Sequence, residues 1–340
     1  MRTTPYLIAG LLLVIAISLL GLIVGPAPIS PLKALAALTG TGADSDQWIH
    51  TVVMQVRLPR VLLAIAIGAS LAQTGVVLQA LFRNPLAEPS LLGISGGAAL
   101  AAAAWLVIVP SLGLTAAWLA TLSLPLAATA GALIAATVVV QLARRRGTTD
   151  MATLLLTGLS INALAGAGIA LLQSLASDSV LRDLLFWFYG SLGRAAWPQL
   201  AVGLPLLLAI ALWLPREARS LDALLLGEAE AAHLGVHIEP LKRRLLVLVA
   251  VAAATAVALA GVIGFIGLIV PHFIRQLLGP SHHRLLPLAG LSGAGLLCLA
   301  DTVARTAFAP VEIPVGVLTA FFGAPLFLFL LQRRGQHQCR

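Results

Sequence analysis

Apolar residues occur along this chain in long blocks, near 7–25, 61–81, 93–110, 114–142, 152–175, 197–214, 243–262, 264–279, 285–303 and 315–332. A helix needs about 20 apolar residues to cross a hydrocarbon core ~30 Å thick. The pattern therefore predicts an all-α polytopic membrane protein with about ten transmembrane helices, forming a single transmembrane domain over 1–340. The eighth block is short and is expected to be interrupted by Pro271. Most blocks carry Ala, Gly, Ser and Thr, as in LLLTGLSINALAGAGIALL from Leu154, and these small residues let helix backbones pack closely. The first block follows only Arg2 and is too long for a signal-peptide core of about 7–15 residues, so it reads as a first span.

One polar interruption, 215–244, is long and patterned: PREARSLDALLLGEAEAAHLGVHIEPLKRR. Ser220 or Asp222 is placed to cap a short helix that Gly227 ends. Glu228, Ala229, Glu230, Ala231, Ala232, His233 and Leu234 form a second, which Gly235 ends. Ordinary loops rarely hold two capped helices. The spacing thus suggests a structured docking surface, with Pro240, Lys242, Arg243 and Arg244 returning the chain to the bilayer.

Charge orients the spans. If the amino terminus is cytoplasmic and the spans alternate, fifteen of the 21 basic residues fall inside: Arg2, Arg83, Arg144, Arg145, Arg146, Arg216, Arg219, Lys242, Arg243, Arg244, Arg275, Arg284, Arg333, Arg334 and Arg340. Only Lys33, Arg57, Arg60, Arg182, Arg194 and Arg305 fall outside. The bias predicts both termini inside and 215–244 in the cytoplasm. For Arg57, Arg60 and Arg305 two readings stand. They either snorkel or pair with acids such as Asp301 and Glu312, or they form a cationic rim for an acidic partner or anionic substrate.

Composition agrees: 59% hydrophobic and 10% charged residues with a mean hydropathy of +1.00, against about 25% charge in soluble domains. The net charge of +8 reflects positive punctuation between apolar runs rather than a nucleic-acid patch. Cys298 lies in an apolar run and Cys339 in the tail, which argues against a disulfide or thiolate metal site.

Catalytic chemistry is sparse. No HExxH or other metal spacing occurs, and His272, His282 and His283 sit where a capping or loop role is expected. Gly93 to Gly97 matches G-x-S-x-G, but without the strand–turn–helix context that gives the motif its chemistry. Lys33 and Lys242 are the only lysines and neither ends a phosphate-binding loop, so if transport is powered by ATP, another subunit must supply it. Glu88, Asp150, Glu228, Asp301 and Glu312 fall at or beyond span ends, which weakens an ion-coupled carrier as the alternative.

RLPRVLLAIAIGASLAQTGVVLQALFRNPLAEPSLLGISGGAAL from Arg57, GEAEAAHLGV from Gly227, GVIGFIGLIVPHFIR from Gly261, HRLLP from His283, ADTVAR from Ala300 and EIPVGVLTAFFGAPLFLFLL from Glu312 follow one another in order. Together they resemble the permease subunits of ABC importers for ferric siderophores, haem and cobalamin, over nearly the whole chain. The resemblance implies the type II importer architecture: a homodimer of ten-helix permeases in a bacterial inner membrane, two ATP-binding subunits carrying ATP and Mg beneath, and a periplasmic binding protein docked outside. It implies no catalytic, metal or cofactor site on this chain. By motif position, Gly227, Glu228, Glu230, Ala231, His233, Leu234 and Gly235 would form the coupling helix, and Arg57, Arg60 and Arg305 would pair with acids of the binding protein. Asn84, Pro85 and Leu86 would line the inner gate, opposite Asp150, Met151, Ala152 and Thr153. On their own residues these two stretches read as a turn and a helix cap.

The cargo is less constrained. INALAGAG after Ser160 and FWFYGSLGRAAWP after Leu185 look most like the haem-importing branch. Phe186, Trp187, Phe188 and Tyr189 could offer a flat aromatic surface on the substrate path, and Arg182 or Arg194 could meet haem propionates. An interfacial aromatic belt with snorkelling arginines is the alternative. No His or Tyr is assigned as an axial haem ligand, and cobalamin and ferric siderophores stay open as cargo.

Overall fold

The structure is a computed structural model that describes residues 4–41, 47–111, 117–145 and 148–338. Arg2, Arg146, Cys339 and Arg340 lie outside the described residues. The chain begins with α1 (Thr4–Ile23), then two short helices, α2 (Pro31–Thr39) and α3 (Gln47–Thr51), the latter passing through a π-helical turn, Val52–Arg57, into α4 (Leu58–Leu81). A turn at Pro89–Leu92 leads to α5 (Ile94–Ser111), and α6 (Ala117–Ala143) follows. A two-stranded ribbon, β1 (Arg144–Arg145) with β2 (Thr148–Thr149), joins α6 to α7 (Met151–Leu175). Next come α8 (Asp178–Phe188), α9 (Trp197–Trp213), α10 (Ala218–Leu226), α11 (Glu228–His233) and α12 (Ile238–Ala260). The last three are α13 (Ile266–Leu278), α14 (His282–Ala304) and α15 (Val315–Gln338). Among the described residues, seven helical stretches are long and apolar enough to cross a membrane and three shorter apolar helices accompany them. They correspond to the ten blocks read from the sequence.

Local chemistry explains the boundaries. The Ser30 side chain accepts from the Lys33 N–H, Pro31 takes the first turn, and Gly40 closes α2 at φ +70°. Asp150 caps α7 by accepting from the Thr153 N–H at 3.0 Å.

The bundle is organised around α4, buried on all sides and flanked by α9, α12, α13 and α14. Small residues allow this. A methyl group at Gly68 would lie 2.2 Å from the Gly293 carbonyl oxygen on α14, and one at Gly75 would lie 2.0 Å from the Gly267 oxygen on α13. No side chain fits such crossings, so the backbones meet directly.

Two expectations change here. Pro271 does not interrupt its helix, since α13 runs unbroken from Ile266 to Leu278. Proline removes the N–H that would reach the carbonyl four residues back, at Gly267. The Gln79 amide nitrogen on α4 supplies that donor instead, at 3.2 Å from the Gly267 oxygen. Nor do Ser220 or Asp222 cap α10. A 3-10 turn, Leu214–Glu217, carries α9 directly into it, so α10 has no free amino-terminal end to cap.

Candidate functional site

The end of the bundle formed by α10 and α11 carries the first group of candidate residues. α10 buries Ala218, Leu221 and Leu224 and faces α4 and α14. Gly227, at φ +128°, breaks the helix, a conformation that side chains rarely adopt, and α11 then projects from the bundle. Of α11 only Ala231 is buried, whereas Glu228, Glu230, His233 and Leu234 are exposed, and Gly235 at φ +85° ends it. Leu225, Leu226 and Leu234 add exposed apolar surface beside these charges.

Three polar ties fix this projection to the spans. Asp222 accepts from the His282 N–H at 2.7 Å and bonds the His282 Nδ1 at 2.7 Å and the Ser281 hydroxyl at 3.3 Å, which ties α10 to the start of α14. Glu217 pairs with Arg244 of α12 at 2.8 Å. Lys242 of α12, whose side chain is 4% exposed, reaches Glu228 of α11 at 2.8 Å, Glu239 at 3.4 Å and the Thr149 carbonyl at 3.5 Å. Glu239 in turn accepts from the Thr149 N–H and hydroxyl at 3.1 and 3.0 Å. Thr149 immediately precedes the cap of α7. The projecting helix is thus wired through one buried ammonium to the start of a span.

The gate candidates fall at two places. The Asn84 side chain accepts from the Leu86 N–H at 2.9 Å, a turn that sets Pro85 and Leu86 at the end of α4. Asp150, Met151 and Ala152 begin α7. Beyond Leu86, Glu88 accepts from the Ser90 hydroxyl and the Phe265 N–H at the start of α13, and burial pushes its carboxyl above the ordinary range despite these bonds.

At the opposite end burial replaces the cationic rim, and for Arg60 the structure shows the alternative, pairing with Asp301 and Glu312. Arg57, Arg60 and Arg305 are 2%, 5% and 3% exposed. Arg57 donates to the Leu22 and Ile23 carbonyls at 2.7 Å each, and to Ala27, while Arg305 donates to Gly21. The terminal carbonyls of α1 have no partner within their own helix, and these two guanidinium groups satisfy them. Arg60 grips Asp301 through its Nε at 3.0 and 2.9 Å and Glu312 through its Nη1 at 2.9 Å. The three arginines form a buried knot joining α1, α4 and α14, and offer no open surface.

The flat aromatic surface is also corrected. Helical spacing turns Phe186 and Tyr189 outward, 54% and 51% exposed, while Trp187 is buried against Phe188 with ring centroids 5.9 Å apart. Arg182 is exposed, and Arg194 pairs with Asp183 at 3.0 Å on the surface.

Sequence reasoning missed the Lys242 network and the Glu217–Arg244 pair. The Glu239-to-Lys242 spacing was a local signal for part of it. The contact to Glu228 requires the fold.

A mostly helical bundle of seven long apolar helices and three shorter ones among the described residues, with a two-helix projection anchored at one end, is the architecture of a polytopic membrane protein. Residues 11–333 match the FecCD transport family. The chain is 44% identical to the hemin transport system permease protein HmuU of Yersinia pestis over 99% of its own length and 98% of the relative's. It is 43% identical to the cobalamin import system permease protein BtuC of Halobacterium salinarum, over 84% of this chain and 74% of that one. A solved structure described as an inward-facing conformation of a metal-chelate type ABC transporter superposes with a TM-score of 0.83 at 32% identity, covering 96% of this chain and 98% of the other. The chain belongs to the FecCD transport family and is a membrane permease subunit of the ABC importer type.

Proposed function

We propose that this chain is the permease of a haem importer, working as a homodimer above two ATP-binding subunits and beneath a periplasmic binding protein. The observation that carries the cargo assignment is 44% identity to a hemin permease across 99% of the chain. A cobalamin permease at 43% identity over 84% of the chain supports cobalamin as the second reading. The proposed orientation puts α10 and α11, with both termini, on the cytoplasmic side.

In this reading α11 seats in a cleft of the ATPase. Its exposed Glu230, His233 and Leu234 supply contact, while Ala231 and the Lys242 network anchor it. Closure and opening of the ATPase then move α11 as a rigid body, and Lys242 passes that movement to the start of α7. Asn84–Leu86 and Asp150–Ala152 are the proposed inner gate. Arg182, Tyr189 and Arg194 are the proposed outer path residues, where exposed guanidinium groups suit carboxylates of the cargo.

The test is uptake in proteoliposomes holding this permease, its ATPase and its binding protein, with haem, cobalamin and a ferric siderophore run in parallel. ATP-dependent uptake of haem alone is expected. Uptake of cobalamin alone replaces the cargo and keeps the importer. Uptake without ATP by this chain alone overturns both.

A further inference from the structure

A cleft of about 720 Å³ opens on the side of the bundle between α6 and α12, at the end that carries α10 and α11. Its walls change character along the helices. Ala136 and Val140 of α6 face Val247 and Val251 of α12, and toward the bundle end the lining becomes Arg144, Arg243 and Arg244. From Arg244 to Val251 α12 rises about 10 Å, so the apolar part runs one helical segment into the membrane from a basic mouth. Glu239 also lines the mouth, but its carboxylate is engaged by Lys242 and Thr149. Arg244 is paired with Glu217, whereas Arg144 and Arg243 are exposed and have no carboxylate partner among the described residues.

We propose that this cleft binds one anionic phospholipid, with its phosphodiester headgroup on Arg144 and Arg243 and an acyl chain along Val140, Val247 and Val251. Two unpaired guanidinium groups complement a phosphate, and apolar walls below them complement a chain. A basic pocket between spans at a membrane surface suits an anionic headgroup. A lipid here bridges the ribbon end of α6 to α12 beside Lys242, so it braces the junction through which the projecting helix is anchored.

The experiment is native mass spectrometry of the purified complex, released from neutral detergent and titrated with phosphatidylglycerol or phosphatidylcholine. One saturable phosphatidylglycerol per permease chain is expected, with phosphatidylcholine bound more weakly. The double variant R144Q/R243Q, which touches no ion pair among the described residues, should weaken phosphatidylglycerol about tenfold or more and leave phosphatidylcholine unchanged. V247W, at a position 54% exposed, should fill the apolar part and remove the same adduct with the arginines intact. Equal binding of the two lipids, or no effect of either variant, overturns the proposal. Competition by glycerol phosphate would assign the arginines to a free phosphate instead. Loss of a subunit from the V247W complex would mean that protein covers the cleft, and would overturn it as well. Unchanged thermal midpoints of both variants establish that the fold is kept.

Discussion

Arg60→Gln separates a structural knot from a docking rim. The wild-type guanidinium makes two Nε contacts to Asp301, at 3.0 and 2.9 Å, and one Nη1 contact to Glu312 at 2.9 Å. Asp301 is 2% exposed, and without Arg60 its nearest remaining cation is the Arg305 Nε at 3.9 Å. Removing one member of a buried pair and leaving the other charged costs about 3–5 kcal/mol. Glu312 contributes little of this, because its side chain is 44% exposed and stays solvated. R60Q should therefore lower the thermal midpoint of the purified permease markedly. D301N added to it should recover part of the loss, about 2–3 kcal/mol of coupling in a double-mutant cycle. E312Q alone should cost less than about 1 kcal/mol. An R60Q permease with wild-type thermal stability and weakened binding-protein affinity would refute the reasoning, since Arg60 would then serve a partner and not Asp301.

The remaining predictions address the other end and the core. K242M should keep ATPase assembly but reduce transport per ATP hydrolysed in proteoliposomes several-fold, because α11 loses its tie to Thr149; unchanged coupling would sink the relay. Its stability cost should be about 1–2 kcal/mol, as the freed Glu228 is 48% exposed and can hydrate. G75A should destabilise by about 1–3 kcal/mol or more, because its methyl group would fall 2.0 Å from the Gly267 oxygen and α4 and α13 must separate; a wild-type midpoint would contradict that crossing. Glu88 has its carboxyl raised by burial, so the folded state holds the proton more tightly and stability falls as pH rises above the ordinary carboxylate value of 4.5. E88Q should remove that decline, measured as midpoint against pH, and a parallel slope in the variant would exclude Glu88 as its source.

What the sequence revealed and what it hid divide along a physical line. Apolar block length is a one-dimensional property, so all ten apolar helices were legible, seven of them long enough to span a membrane, as were α11 and its closing Gly235, which depend on neighbours within a few residues. Pairings between distant residues were legible only as open alternatives. Arg57, Arg60 and Arg305 broke the charge asymmetry, which fitted a cationic rim as well as pairing with acids such as Asp301 and Glu312. Only the fold shows that α1 ends beside them with carbonyls to satisfy, and that Asp301 lies opposite Arg60 across 241 positions. Pro271 illustrates the same limit. Its local rule predicts a break, and the break is averted by Gln79, 188 positions from the carbonyl it serves. The aromatic run failed for a simpler reason. Four consecutive aromatic residues on a helix cannot share one face, because successive positions turn by about 100°.

The two ends of the bundle also differ in how their charges are held, and that difference bears on how such a machine can move. At the α1 end the cations are buried and meet backbone carbonyls or Asp301, with Glu312, 44% exposed, the one partly hydrated partner, so displacement there exposes mostly unsatisfied groups in a poorly solvated place and is costly. At the α11 end each tie has one partly hydrated member: Glu228 is 48% exposed, Arg244 50% and Asp222 36%. Such pairs keep one hydrated member as they lengthen, so stretching them costs less than the about 3–5 kcal/mol of breaking the fully buried Arg60–Asp301 pair. Movement driven from α11, as proposed, would meet low resistance where it enters and high resistance at the far end of α1, α4 and α14. In the proposed mechanism, a rigid core around α4 with a compliant junction at Lys242 would let α7, held to the bundle chiefly by α5 and α6, tilt while the rest stays fixed. Locking Glu228 to Lys242 by a short chemical cross-link should accordingly preserve ATP hydrolysis and halt uptake, whereas full transport by the cross-linked protein would show that the junction moves as one piece.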